Sequence, residues 1–211
     1  MRKLAIVLAL IAFSGAAWGQ AGDFWFNYGE SIFPNANLGT ELAFGGSSSD
    51  IKLASTGYRF GFRYNFNVGD HYGAEIGYAF NHTSLNYDAS VAQALGATGA
   101  VSLPMHMHQV MFNGMYYPFT PDKARVRPFL VAGFGFDNFV PPGGQSYSGS
   151  TKIAGDFGGG IKIHVGHLLG LPVGIRVDLR EYISGQPNFG FLMGGGGLWQ
   201  TEASAGVGIG F

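Results

Sequence analysis

The chain contains no cysteine, which excludes a disulfide framework, a thiolate metal site and a lipid anchor on cysteine. Charge is scarce as well. Asp, Glu, Lys and Arg make up 12% of the residues, about half the usual share of a soluble domain. After residue 21 no apolar run approaches the roughly 18 residues of a spanning helix. No segment sustains a 3.6-residue apolar period, so helices are expected to be minor. Nothing matches a nucleic-acid motif. Without Arg2 and Lys3 the chain keeps 10 basic and 13 acidic residues, a formal charge of −3 that suits no polyanion. Glycine is abundant, at 36 of 211 residues, yet it follows no G-x-y period, so a collagen-like chain is excluded. Aromatic residues at 15% argue against a disordered glycine-rich linker. Few charges with many aromatics and glycines describe a chain whose outside is not water.

The N-terminus "MRKLAIVLALIAFSGAAWGQA" carries Arg2 and Lys3, an apolar run from Leu4 to Phe13, and then small residues. That order reads as a secretory signal peptide over residues 1–21, cleaved after Gly19 or Ala21, with a run too short to span a bilayer. Residues 22–211 are then one domain. If that domain lies in a membrane, it must cross it as strands.

Period-two alternation recurs along the chain. "FWFNYG" puts Phe24, Phe26 and Tyr28 on one face, and "YRFGFRYNF" puts Tyr58, Phe60, Phe62, Tyr64 and Phe66 opposite Arg59, Gly61, Arg63 and Asn65. "YGAEIGYAF" sets Tyr72, Ile76, Tyr78 and Phe80 against Glu75 and two glycines. "QVMFNGMYY" sets Val110, Phe112 and Tyr116 against Gln109 and Asn113, with Met111 and Met115 blurring the contrast. "PFLVAGFGF" is apolar on both faces, and Leu130, Ala132, Phe134 and Phe136 are assigned to the outer one. "DFGGGIKIHV" and "VGIRVDLR" oppose Phe157, Ile161, Ile163, Val173, Ile175, Val177 and Leu179 to Asp156, Lys162, His164, Arg176, Asp178 and Arg180. The final strand opposes Val207, Ile209 and Phe211 to Glu202, Ser204 and three glycines.

These are eight strands. Their connections alternate between short ("NVGD", "TPDKAR", "GHLLGL") and long (34–55, 84–103, 140–151, 184–200). An up-and-down barrel puts odd and even connections at opposite ends, and this asymmetry is the outer-membrane pattern of periplasmic turns and external loops. The expectation is an all-β, eight-stranded antiparallel up-and-down transmembrane β-barrel. Large side chains would face lipid, and glycines would leave lumen space for a few long residues.

Three stretches carry a resemblance: the terminal "GVGIGF", "GGGIKIHVGHLLGLPVGIRVDLREY", and "RPFLVAGFGF". They resemble the eight-stranded outer-membrane barrels of the OmpA-type membrane domain and the OmpX/Ail group. The resemblance runs over the whole of residues 22–211 and stops at the barrel, so no peptidoglycan-binding domain is expected. It implies a bacterial outer-membrane location. It also implies that Val207, Ile209 and Phe211 form a terminal signal read by the outer-membrane assembly machinery. Function stays open, because such barrels serve many roles.

Parity places Arg59, Arg63, Glu75, Asp156, Lys162, Arg176, Asp178, Arg180 and Glu202 in the lumen. They form either an ion path or a salt-bridged plug. Basic and acidic residues nearly match and the lumen is narrow, which favours the plug. The "MHMH" stretch, Met105 to His108, offers soft ligands for copper but only two histidines and no third partner, so it reads as the wet upper end of the fourth strand. His82 and Ser84 have the H-x-S spacing of an acyl-transfer pair and vaguely resemble outer-membrane lipid A deacylases. The longer signature of those enzymes is missing, and ordinary rim residues are expected. Phe189, Phe191 and Trp199 sit in a glycine-rich stretch that ought to be polar. Either they form an exposed binding surface or they pack on neighbouring loops.

The leading expectation is therefore a monomeric, non-enzymatic barrel with a structural or loop-mediated adhesive role. Its partners would be outer-membrane lipids and possible loop ligands, with neither nucleic acid nor a cofactor. A passive pore is the alternative, and a lipid-modifying enzyme is a more distant one.

Overall fold

The structure, a computed structural model, describes residues 22–34, 37–41, 51–89, 92, 98–119, 125–141, 149–189, 192–193 and 196–210. The leader assigned to residues 1–21 and Phe211 lie outside the described residues, as does Phe191. Among the described residues eight long strands close a ring. They are β1 (Gly22–Ile32), β4 (Thr56–Val68), β5 (Tyr72–Tyr87), β6 (Val101–Tyr116), β7 (Val126–Val140), β8 (Ser150–Leu168), β9 (Leu171–Gly185) and β11 (Gly197–Gly210). Three short strands, β2 (Asn37–Glu41), β3 (Ile51–Leu53) and β10 (Leu192–Met193), extend one end. Each long strand pairs antiparallel with the next, and β1 closes on β11 from Asp23–Gly210 to Ile32–Thr201. Closure removes sheet edges, which is the condition for strands to sit in hydrocarbon.

The two faces follow the alternation. Phe26, Tyr28, Phe62, Ile76, Phe112, Leu130, Phe134, Phe157, Ile175, Leu179 and Val207 are exposed on the outside. An apolar belt of that extent is not stable against water. Glycines stand where bulky inner residues cross: a Cβ on Gly208 would collide with the Trp25 ring. Met111 and Met115, ambiguous by pattern, both face inward and are buried. Among the described residues no helix is long and apolar enough to cross a membrane.

The turn end is tight. Leu169 and Gly170 have φ of +53° and +84° between the paired Leu168 and Leu171, the two-residue turn whose twist suits a hairpin. The opposite, loop end is more ordered than the pattern suggests. Within the expected loops, β5 runs to Tyr87, β6 starts at Val101, and β2, β3 and β10 appear. Here β3 takes over beside β5, with Ile51 opposite Tyr87, and β2 and β10 add to it. The reason is a change in what the two faces bury. Leu85, Tyr87, Met105 and Met107 point inward, where they join Phe33, Leu38, Ile51, Leu53, Phe139, Phe189 and Leu198 in a buried apolar cluster. Outward positions at this level carry His82, Ser84, Asn86, Ser102 and His106. The strands are apolar outside and polar inside along the belt, and the reverse above it.

Of the two readings open for Phe189, packing holds and an exposed patch does not. Phe189 is 2% exposed within that apolar cluster, because the cap gives it a dry interior to fill. His164, assigned to the lumen, is exposed at the turn end, where a register shift between His164 and Gly166 breaks the alternation.

Candidate functional site

All nine charged residues placed in the lumen by alternation are buried there, Arg176 and Glu202 completely. They come from β4, β5, β8, β9 and β11, and inward parity on each strand aims them at the barrel axis. Arg176 bridges Glu75 and Asp178, each at 2.8 Å. Arg180 reaches Glu75 at 2.8 Å, Asp178 at 2.9 Å and Asp156 at 3.3 Å. Arg63 joins Glu202 at 2.6 Å and Asp178 at 3.0 Å. Arg59 holds Glu202 from the other side at 3.0 Å. Four guanidinium groups thus face four carboxylates in one connected cluster. Lys162 stands nearer the turn end, on Asp23 at 2.6 Å.

Such a cluster is tolerated in a low-dielectric interior only when each charge is paired and its remaining hydrogen-bonding capacity is met. Neutral side chains do part of the second job, while among the described residues Asp156 Oδ1 and Asn113 Oδ1 are buried without a hydrogen-bond partner. Tyr182 Oη donates to Glu202 at 2.6 Å. Asn113 donates to Asp156 at 3.0 Å. With its amide oriented to suit its neighbours, Asn65 donates to Glu75 and accepts from Lys162 and Arg176. Tyr117 Oη accepts from Lys162 at 2.9 Å.

Above the four arginines lies a layer of amides, with the buried Asp137 opposite Gln109. Ser31 donates to Asn81 at 2.6 Å, Asn81 to Gln109 at 3.0 Å, Gln109 to Gln200 at 2.9 Å, and Gln200 back to Ser31 at 2.8 Å. This closed cycle ties β1, β5, β6 and β11 across the lumen. The apolar cluster follows above it. From turn end to loop end the interior is therefore charged, then amide, then apolar. Voids beside the charged cluster amount to about 10 Å³ each, the size of a single water at most. A larger cavity of about 160 Å³ opens at the turn end beside Trp25, Arg125, Arg127 and Lys162.

Of the two arginines of β9, Arg180 takes Asp156. Glu202 belongs to Arg59 and Arg63, while Arg176 turns to Glu75 and Asp178. The alternation places Asn65 and Asn113 on this face without giving them a role, and Asn27, Tyr182 and the acid Asp137, one residue beyond the stretch "PFLVAGFGF", are buried on it as well. The period-two pattern that picked out the charges extends to them without change.

The remaining candidates lie on the outer face. Val207 is exposed and Ile209 half-buried on the lipid side of β11. Trp199, 41% exposed, points outward from the same strand and does not join Phe189. His82 and Ser84 share the outer face of β5, but the His82 Nδ1 meets His106 Nδ1 at 3.0 Å, and among the described residues no hydrogen bond joins Ser84 to His82. His108 receives or gives a hydrogen bond with Tyr78 Oη at 2.8 Å. Among the described residues no group of three or more His, Cys, Asp or Glu side chains is arranged to hold a metal.

No protein-family model matches the chain, and no curated protein sequence matches it. Solved structures match in fold. The crystal structure of Neisserial surface protein A is 14% identical, with 90% of this chain and 96% of that chain covered at a TM-score of 0.52. The outer membrane protein AlkL, solved in lipid bilayers, is 13% identical over 90% of each chain at 0.50. The outer membrane protein OprG from Pseudomonas aeruginosa is 14% identical over 91% of this chain and 97% of that one, at 0.49. At such identities the likeness concerns the backbone.

Proposed function

From the premise that the chain has the fold of the small eight-stranded, OmpA/OmpX-like outer-membrane barrels, we propose that it is a closed, non-enzymatic barrel of the bacterial outer membrane. Its role is structural, or carried by binding at its loop end. One observation carries this reading: the lumen is filled by a charge-balanced, hydrogen-bonded cluster of Arg59, Arg63, Arg176 and Arg180 with Glu75, Asp156, Asp178 and Glu202. An ion entering it would have to displace buried salt bridges rather than water, at a cost of several kcal/mol per broken pair. The amide cycle and the apolar cap stand in series behind that barrier. Catalysis finds no support in the H-x-S pair, whose imidazole is engaged by another imidazole. The signal-peptide reading of residues 1–21 supports export, and the resemblance of Val207, Ile209 and Phe211 to an assembly signal supports insertion into that membrane.

Planar-bilayer recording tests the closed lumen. The purified barrel should show no steady conductance, and Arg180→Ala, which strands Asp156 and takes one of the two close arginines from Glu75, should produce intermittent leaks. Steady wild-type conductance whose ion selectivity shifts in Arg180→Ala would overturn the plug and establish a pore.

A further inference from the structure

His82 and His106 are directly opposite on β5 and β6. Both point outward, at the level where the lipid-facing surface changes from Phe80, Val110 and Phe112 to polar residues. Their Nδ1 atoms stand 3.0 Å apart. Each ring is steadied by an aromatic neighbour: His82 stacks on Tyr58 with centroids 4.9 Å apart, and His106 rests against Phe80 at 5.1 Å. Both are half-buried, so one side of the pair stays open.

We propose that His82 and His106 chelate one Cu²⁺ or Ni²⁺ ion at the loop-side edge of the lipid-facing surface, clamping β5 to β6 from outside. Without metal, two facing imidazole nitrogens at this distance share a single proton in a hydrogen bond. A metal ion takes the place of that proton and uses both lone pairs. Imidazole nitrogens bind such ions at about 2.0–2.1 Å. Two nitrogens 3.0 Å apart then subtend an angle of roughly 95° at the metal, for bonds of that length. That angle fits adjacent positions of a square-planar or tetragonal ion, the preference of Cu²⁺ and Ni²⁺. A tetrahedral ion would need the nitrogens some tenths of an ångström further apart. For bonds of that length each Nδ1 lone pair points roughly 40° off the line between the nitrogens, so each ring turns about its Cβ–Cγ bond to bind the ion. The other coordination positions face the headgroup layer and are filled by water.

His108 is not a third ligand. It lies two residues along β6, bonded to Tyr78, with the Phe80 ring against it at 5.4 Å. The pattern "MHMH" pointed to histidines of one strand, whereas the site joins one of them to a histidine of the adjacent strand. The inference does not depend on whether the lumen conducts.

The experiment uses the full, tag-free barrel refolded in a phosphate-free detergent and titrated with CuCl2 by calorimetry. One ion per barrel is expected, with a Cu²⁺ EPR spectrum showing coupling to two nitrogens. His82→Ala and His106→Ala should each weaken binding at least tenfold. His108→Ala and the His164→Ala/His167→Ala double variant should retain it. The last removes the other close imidazole pair, whose rings are 5.1 Å apart at the turn end. Retention of heat-modifiable migration shows that each variant is folded. Wild-type binding no tighter than that of His82→Ala, or a spectrum lost only in the His164→Ala/His167→Ala variant, would overturn the proposal.

Discussion

Arg176 shows how much of this barrel's interior rests on single side chains. It is fully buried, and its guanidinium serves Glu75 and Asp178 at once. Its removal leaves the cluster with one carboxylate in excess and no solvent to receive the charge. Arg176→Ala should lower the stability of the folded barrel by on the order of 3–5 kcal/mol, the cost of stranding a buried charge. The loss is pairwise, so it should be partly recovered by the correct second change. Glu75→Gln, which neutralises the partner whose Oε2 loses its arginine, should restore part of it. Glu202→Gln should not, because Glu202 is held by Arg59, Arg63 and Tyr182. Urea titration of the refolded barrel, followed by gel mobility, measures all four proteins. Equal effects of the two second changes would mean that the cluster acts as a diffuse field rather than as pairs. The nine charges themselves were legible in the sequence, because a lumen residue announces itself by parity in a chain with so little charge. Their partners were not: which arginine meets which acid depends on strand stagger and rotamer, neither of which alternation encodes.

The elements were legible where the faces keep one polarity. In β4, β9 and β11 large apolar residues point outward throughout the belt, and the alternation locates each strand to within a few residues. β5 and β6 continue past the belt, and there the code inverts: Leu85, Tyr87, Met105 and Met107 turn inward while Ser84, Asn86, Ser102 and His106 turn outward. A search for apolar residues on the outer face stops at that inversion and assigns the strand ends to the loops. The same inversion hid the role of Phe189, whose apolar side chain fits an interior that a purely polar loop would lack. It also marks where the molecule begins to behave as a soluble protein, with its dry core inside. Truncating that core should carry an ordinary core penalty: Leu85→Ala should cost about 2–5 kcal/mol by lost transfer energy and residual cavity. The adjacent outward change Ser84→Ala should stay within about 0.5 kcal/mol. The comparison is made by denaturant unfolding under one set of conditions. Similar small effects at both sites would show that the loop-end cluster contributes little to stability.

At the scale of the whole molecule, the two ends differ enough to fix an orientation. The turn end is cut short by the Leu169–Gly170 hairpin and holds the Lys162–Asp23 pair close to the surface. The loop end carries the extended strands, the apolar cluster and the long connections. In outer-membrane barrels the short turns stay in the periplasm and the long loops lie outside, so the loop end is expected to be the external one. The absence of cysteine allows a clean test with one label at a time. Ser102 is exposed at the start of β6 on the loop side, and Leu169 is 96% exposed at the tip of the opposite turn. On intact cells a membrane-impermeant thiol reagent should label Ser102→Cys. Leu169→Cys should react only after the outer membrane is opened. Both positions are accessible in the folded barrel, so a difference between them reports the membrane rather than burial. Denatured samples should label equally and control for expression. The opposite pattern on intact cells would reverse the barrel in the membrane, and would place the His82–His106 pair at the periplasmic edge instead of the outer one.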